Sequence, residues 1–246
     1  MSEHIINRNF KPLLPVPPDA KEIHGRILEL LRSLLGDGTL TPSDPGFQAT
    51  YLQAMELYQE YQQAVVAHSG YRMECRSGCY ICCCHWADDI YSFEAEILTR
   101  HLLTLPAAVR KRIISDARRS VRQYREIKKR KAGELTEEDF EGMSEEWDPE
   151  EIVLNEFYRL KSRCPLLDED NRCMVYSLRP LTCRAYINLG NAALCPPEMI
   201  NENDTVTYIL DLDDEANELL DELHFRFERF PGDSALRSLV LKYLTE

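Results

Sequence analysis

The chain carries nine cysteines, and they fall into two groups. CRSGCYICCCH at 75–85 holds Cys75, Cys79, Cys82, Cys83 and Cys84, while Cys164, Cys173, Cys183 and Cys195 are spread downstream. A thiolate is a soft, anionic ligand suited to zinc, copper(I) and iron–sulfur clusters. Gaps of two or three residues let a tight loop wrap one metal centre, and Gly78 can take the positive φ that such wrapping needs. The odd count leaves at least one thiol unpaired in any disulfide scheme confined to the chain. No basic stretch followed by an apolar core opens the sequence, so no secretory signal is expected and the expected compartment is the reducing cytosol. There, clustered thiols bind metal more often than they form disulfides.

Other chemistries fit less well. Cys75, Cys79 and Cys82 have the C-x3-C-x2-C spacing of radical S-adenosylmethionine enzymes. Those enzymes need strand–helix alternation after the motif, and the next 80 or so residues read instead as charged helices. No Gly-rich loop follows a strand to cradle a nucleotide. The six histidines are dispersed and no G-x-S-x-G occurs. DEDN at 168–171 lacks the alternate spacing and terminal Glu of a calcium loop.

Twenty-nine basic against 42 acidic residues give a net charge of −13, a field that repels phosphate polymers, so nucleic-acid binding is not expected. The charge is uneven: Arg100–Lys131 holds 12 Lys or Arg and two acids, and Glu134–Glu156 holds 11 acids and no base. Adjacent blocks of opposite sign are read as folding back on one another, the acidic carboxylates as solvated helix faces. No apolar run approaches the length of a membrane span, so no membrane partner is expected. A protein partner and the oligomeric state stay open.

The fold class expected is mainly α: a helical domain with two cysteine-rich irregular segments, one with a short β-hairpin, joined around a metal site. Residues 1–18 read as an extended Pro-rich arm and 19–70 as N-terminal helices. Residues 71–200 form the cysteine-cluster core, and 201–246 are C-terminal helices packing on it. Apolar stripes predict helices over about 19–35, 45–68, 92–105, 106–131, 149–160, 214–230 and 234–244. Asp44 and Asp148, each followed by Pro, are read as N-caps. CPLLDEDNRCMVY at 164–176 suggests two extended pieces around a turn, and 206–212 a short strand. Helices between residues 92 and 162 must bring the two cysteine segments together, so that metal affinity becomes folding free energy.

The two segments together resemble a bacterial cysteine-cluster family of the CxxCxxCC type, described as zinc- or iron-chelating. The resemblance rests on C-x3-C-x2-CC, then CPLL, then RCMVYSLRPLTCRAY, with Cys173, Val175, Tyr176, Arg179, Pro180, Cys183, Arg184 and Tyr186 at fixed offsets. It implies thiol ligands at Cys75, Cys79, Cys82, Cys83, Cys164, Cys173 and Cys183, with Cys195 a candidate eighth. Cys84 is an addition and reads as a buried or free thiol. His85 is read as structural, with a ligand role as the alternative. Arg179 and Arg184 either offset the charge of a thiolate centre or bind an anionic group, or else bond carbonyls in a turn. Tyr176 and Tyr186 are read as packing around the site; Trp86 either shields the centre or fills a core.

Seven or eight thiols exceed what one tetrahedral zinc can use, so an iron–sulfur cluster is the first choice of cofactor and zinc the second. The function expected is a cytosolic metal-binding protein. The alternatives are a protein-modifying enzyme similar to flagellin lysine methylases, which share this cysteine pattern, or a purely structural zinc module. Whether the chain is an enzyme is left open.

Overall fold

The apolar stripes become helices. The computed structural model describes residues 14–76, 78–134, 149–189 and 207–246, in which α1 spans Pro18–Gly36 and α2 spans Pro45–His68. Both open on a proline, whose fixed φ suits the first helical turn. Asp44 does not cap α2 with its side chain as the sequence suggested. Its carboxylate turns back to accept the amide and hydroxyl of Thr41, both at 2.8 Å, closing the turn between the two helices. The stripes of α1 and α2 face each other, and Ile27, Leu31, Leu34, Phe47, Met55, Tyr58 and Val65 are buried between them and their neighbours.

Four longer helices and one short one follow the first cysteine segment: α3 (Ser92–Thr104), α4 (Ala107–Glu134), α5 (Pro149–Arg159), α6 (Leu181–Ala185) and α7 (Asp214–Arg226), before α8 (Leu236–Thr245). α7 packs on α1 and α3, α8 on α3 and α4, and α5 on α4. Asp213 caps α7 by accepting the Ala216 amide. That helix was expected to reach Phe230 and ends four residues sooner. Phe227 leaves the helical conformation, and its ring meets Phe47 edge-on at 5.5 Å. Packing on the first core thus ends the helix where periodicity would have continued it.

The expected strand at 206–212 is β2 (Thr207–Ile209), antiparallel to β1 (Tyr186–Asn188) with Ile187 opposite Tyr208. The expected hairpin at 164–176 is a single bridge, Leu167 opposite Cys173, turning through Asn171 at φ 62°. A second core of Leu98, Leu102, Ile113, Leu166, Val175, Leu236 and Leu239 lies under α3, α4 and α8. A third joins Trp86 to Val121, Tyr124, Phe157 and Ala235.

Where the acidic block is described, it does fold back on the basic one. Lys128 pairs with Glu150 at 3.6 Å, and Lys131 with Glu156 at 3.2 Å. The Asp148 cap and the rest of that block, residues 135–148, lie outside the described residues, as do residues 1–13 of the expected arm. Among the described residues no helix is long and apolar enough to cross a membrane.

Candidate metal centre

The first cysteine segment is pinned at both ends. On its way in, the Glu74 amide donates to the Asn188 carbonyl at 2.9 Å and the Asn188 amide donates to Cys75 Sγ at 3.4 Å, so Cys75 lies along β1. Gly78 sits at φ +82°, the left-handed turn read from the sequence. Cys82–Cys84 form one 3-10 turn. On its way out, the Ile90 amide bonds the Ser234 carbonyl and the Leu236 amide bonds the Ala87 carbonyl, lacing the segment to the start of α8.

The second segment is braced from inside. Cys173 follows the Asn171 turn, and Cys183 lies in α6. The Leu181 amide at the start of α6 donates to Glu94 at 2.7 Å; the same carboxylate accepts the Tyr51 hydroxyl and the Tyr91 amide. Glu94 therefore ties α6 to α2 and to the first turn of α3. Its burial raises the carboxyl pKa to about 7. Gln62 of α2 donates to the Arg184 carbonyl at 2.8 Å.

The two segments meet. Cys83 feels the charges of Cys82, Cys164 and Cys183; Cys183 feels those of Cys164, Cys173 and Cys82; Cys75 feels those of Cys82 and Cys79. Burial, reinforced by these neighbours, pushes the Cys173 thiol up to about 11 and raises Cys183 further. Burial likewise raises Cys75 and Cys164. Cys82 goes the other way and is lowered, because Cys83 donates a hydrogen bond to it and Arg179 lies near; Cys83 is raised by the same bond.

The donor set fits a soft metal by its chemistry: seven thiols from both segments, none of them in a disulfide, Cys75 exposed and the other six half-buried. Among the described residues no group of three or more His, Cys, Asp or Glu side chains is already placed to hold a metal ion. Cys195 lies outside the described residues.

The neighbours take definite places. Cys84 is 1% exposed and turns away to the Tyr80 carbonyl at 3.7 Å, the arrangement of a buried thiol. The His85 ring lies between those of Tyr158 and Tyr186, at 4.7 and 5.3 Å. Trp86 stacks on Tyr124 at 4.0 Å and fills the third core. Tyr176, expected to pack around the site, is exposed instead, with the Arg179 guanidinium 3.8 Å above its ring. Arg184 is buried and donates to the carbonyls of Arg179 and Ser177 at 2.7 and 2.6 Å, bracing the loop that leads into α6.

Sequence reasoning missed Arg237, Glu94 and Gln62. Each is a polar residue on a helix face that the fold buries. The one legible signal was Arg237, set in the apolar run ALRSLVL, where a solvent-facing arginine would be out of place.

No curated protein and no solved structure matches the chain. The family model of a putative zinc- or iron-chelating domain matches residues 74–207, from just before Cys75 to the start of β2. On that match across more than half its length, the chain belongs to the CxxCxxCC family.

Proposed function

We propose that this chain is a cytosolic metal-binding protein whose clustered thiolates hold an iron–sulfur cluster, or zinc in its place. Cys75, Cys79, Cys82, Cys83, Cys164, Cys173 and Cys183 are the donors from which the ligands are drawn, with Cys195 as a candidate eighth. The supporting observation is that sulfurs separated by about a hundred residues act on one another across a buried junction. More than four thiols at one junction favour a multi-iron centre over a single tetrahedral ion. When bound, a cluster supplies one-electron chemistry and zinc a rigid cross-link. The protein's own residues supply the rest. Arg179 lies near the Cys82 thiol, and the bonds at Glu94, Gln62 and Arg184 hold Cys183 in place.

The test is metal and acid-labile sulfide content with an absorption spectrum, on protein purified without oxygen. A brown protein with about four irons and four sulfides per chain, lost on Cys82→Ala or Cys183→Ala, is the expected result. A colourless protein with tightly held zinc moves the assignment to zinc. Full-length protein with neither metal would sink the reading.

A further inference from the structure

Arg237 is 1% exposed, the largest side chain so deeply buried. An arginine stays charged inside a protein, and a buried charge is costly without a partner of opposite sign. Among the described residues no carboxylate lies within ion-pair distance of it. Its guanidinium instead donates to oxygens from three places. Two are carbonyls of the first cysteine segment, Cys83 at 2.9 Å and His85 at 3.2 Å. Two are carbonyls leading into the second, Ser162 at 2.8 Å and Arg163 at 3.2 Å, immediately before Cys164. The last is the Ser120 hydroxyl of α4 at 3.0 Å. The Phe157 ring lies 5.0 Å away and adds its negative face.

One side chain of α8 thus grips the backbone of both cysteine segments. Carbonyl dipoles and a ring face satisfy its donors without cancelling its charge. The four carbonyl bonds join stretches that are about eighty residues apart in sequence and fix Cys83 and the approach to Cys164 relative to one another.

We propose that Arg237 is a positioning residue of the thiol centre, a clasp from α8 that holds both cysteine segments in the arrangement that binds metal. This rests on the metal-binding reading above. It extends the site beyond residues 74–207, because α8 lies outside the stretch that the family model covers.

The experiment compares zinc affinity, by chelator competition, in the full chain and its Arg237→Met and Arg237→Lys variants, alongside the melting temperature of each metal-free protein. The expected result is a loss of roughly 10–100-fold in affinity for Arg237→Met, of which Arg237→Lys, with fewer donors, recovers only part. A purely structural role predicts that both variants melt lower by similar amounts and bind zinc equally, which would overturn the proposal while leaving the metal-binding reading intact. A wild-type chain that binds no zinc and no iron removes both.

If neither variant folds, hydrogen exchange on the wild-type chain decides. Zinc should increase protection at 82–86, 162–164 and the first turn of α8 together, with α1 unchanged. Increased protection of the cysteine segments without α8 would overturn the clasp.

Discussion

Where α1 meets α2, the buried surface is Ile27, Leu31, Leu34, Phe47, Met55 and Val65, each at most 1% exposed. Where the two cysteine segments meet, the buried contacts run through Arg237, Arg184, Gln62 and Glu94. The first junction is closed by non-directional burial, which tolerates modest changes of shape and stands without a ligand. The second is closed by directional bonds to particular carbonyls and amides, around thiols whose burial disfavours the charged form that a metal requires. A family defined by its cysteines has here been given a helical buttress that carries the ordinary load of folding. The metal region is left with polar contacts that fix geometry more than they add stability.

The contrast is broken most forcefully at Phe47, whose ring meets Phe93 at 6.0 Å and Phe227 at 5.5 Å. Phe47→Ala should cost about 3–5 kcal/mol in denaturant unfolding while leaving metal stoichiometry unchanged in the folded fraction. Loss of metal from folded protein would show that the two junctions are not separable.

Glu94 sharpens the comparison from the other side. Its folded pKa, about 7, lies above the ordinary 4.5, so the folded state holds this proton more tightly than the unfolded chain does. Its contribution is therefore full below pH 4.5, fades as pH rises to about 7, and is flat above. The change across that window is about 3 kcal/mol. Glu94→Gln should remove that slope from the variant's own stability curve, so that the difference from wild type, measured without metal, changes with pH across this window. A difference that stays constant with pH would place the buried carboxylate's titration elsewhere.

The smallest effects come as a pair of opposite sign. Gly25 lies inside α1 with nothing within 4 Å of an added methyl group, and Gly78 sits at φ +82° between the first cysteines. Gly25→Ala should stabilise by about 0.5–1 kcal/mol, the helical cost of glycine being removed. Gly78→Ala should destabilise by about 1–2 kcal/mol and weaken metal retention, because an L-residue is strained there. Melting temperatures moving in the same direction for both would undo the distinction.

The helices were readable because Ile23, Ile27, Leu30, Leu31 and Leu34 repeat at helical spacing, a pattern that burial selects and sequence displays. The cysteines were readable through residue type, and the Gly78 turn because only glycine takes that conformation freely. β1 was not readable. Three residues show no alternation, and the strand exists because its partner arrives some twenty positions later. Nor was Tyr176 foreseen at the surface, since an aromatic in a motif reads as packing until its neighbour, here Arg179, is seen to lie over it. Glu94 was not legible, because its role depends on Tyr51 and Leu181, which are distant in sequence. Polar residues that brace a site leave no period behind. Only their three-dimensional partners distinguish them from residues that face water.

The stacking of Trp86 on Tyr124 has an optical consequence. Trp86 is one of only two tryptophans in the chain, and it lies two positions after Cys84. Its indole is held nearly parallel to the phenol, 5° between planes, in a pocket shut off from water. The protein therefore carries a buried fluorophore two residues beyond the last cysteine of the first segment. Its emission reports the local environment there, and it would be quenched by a coloured iron centre but left bright by zinc, so the occupant can be read from light without labelling the chain.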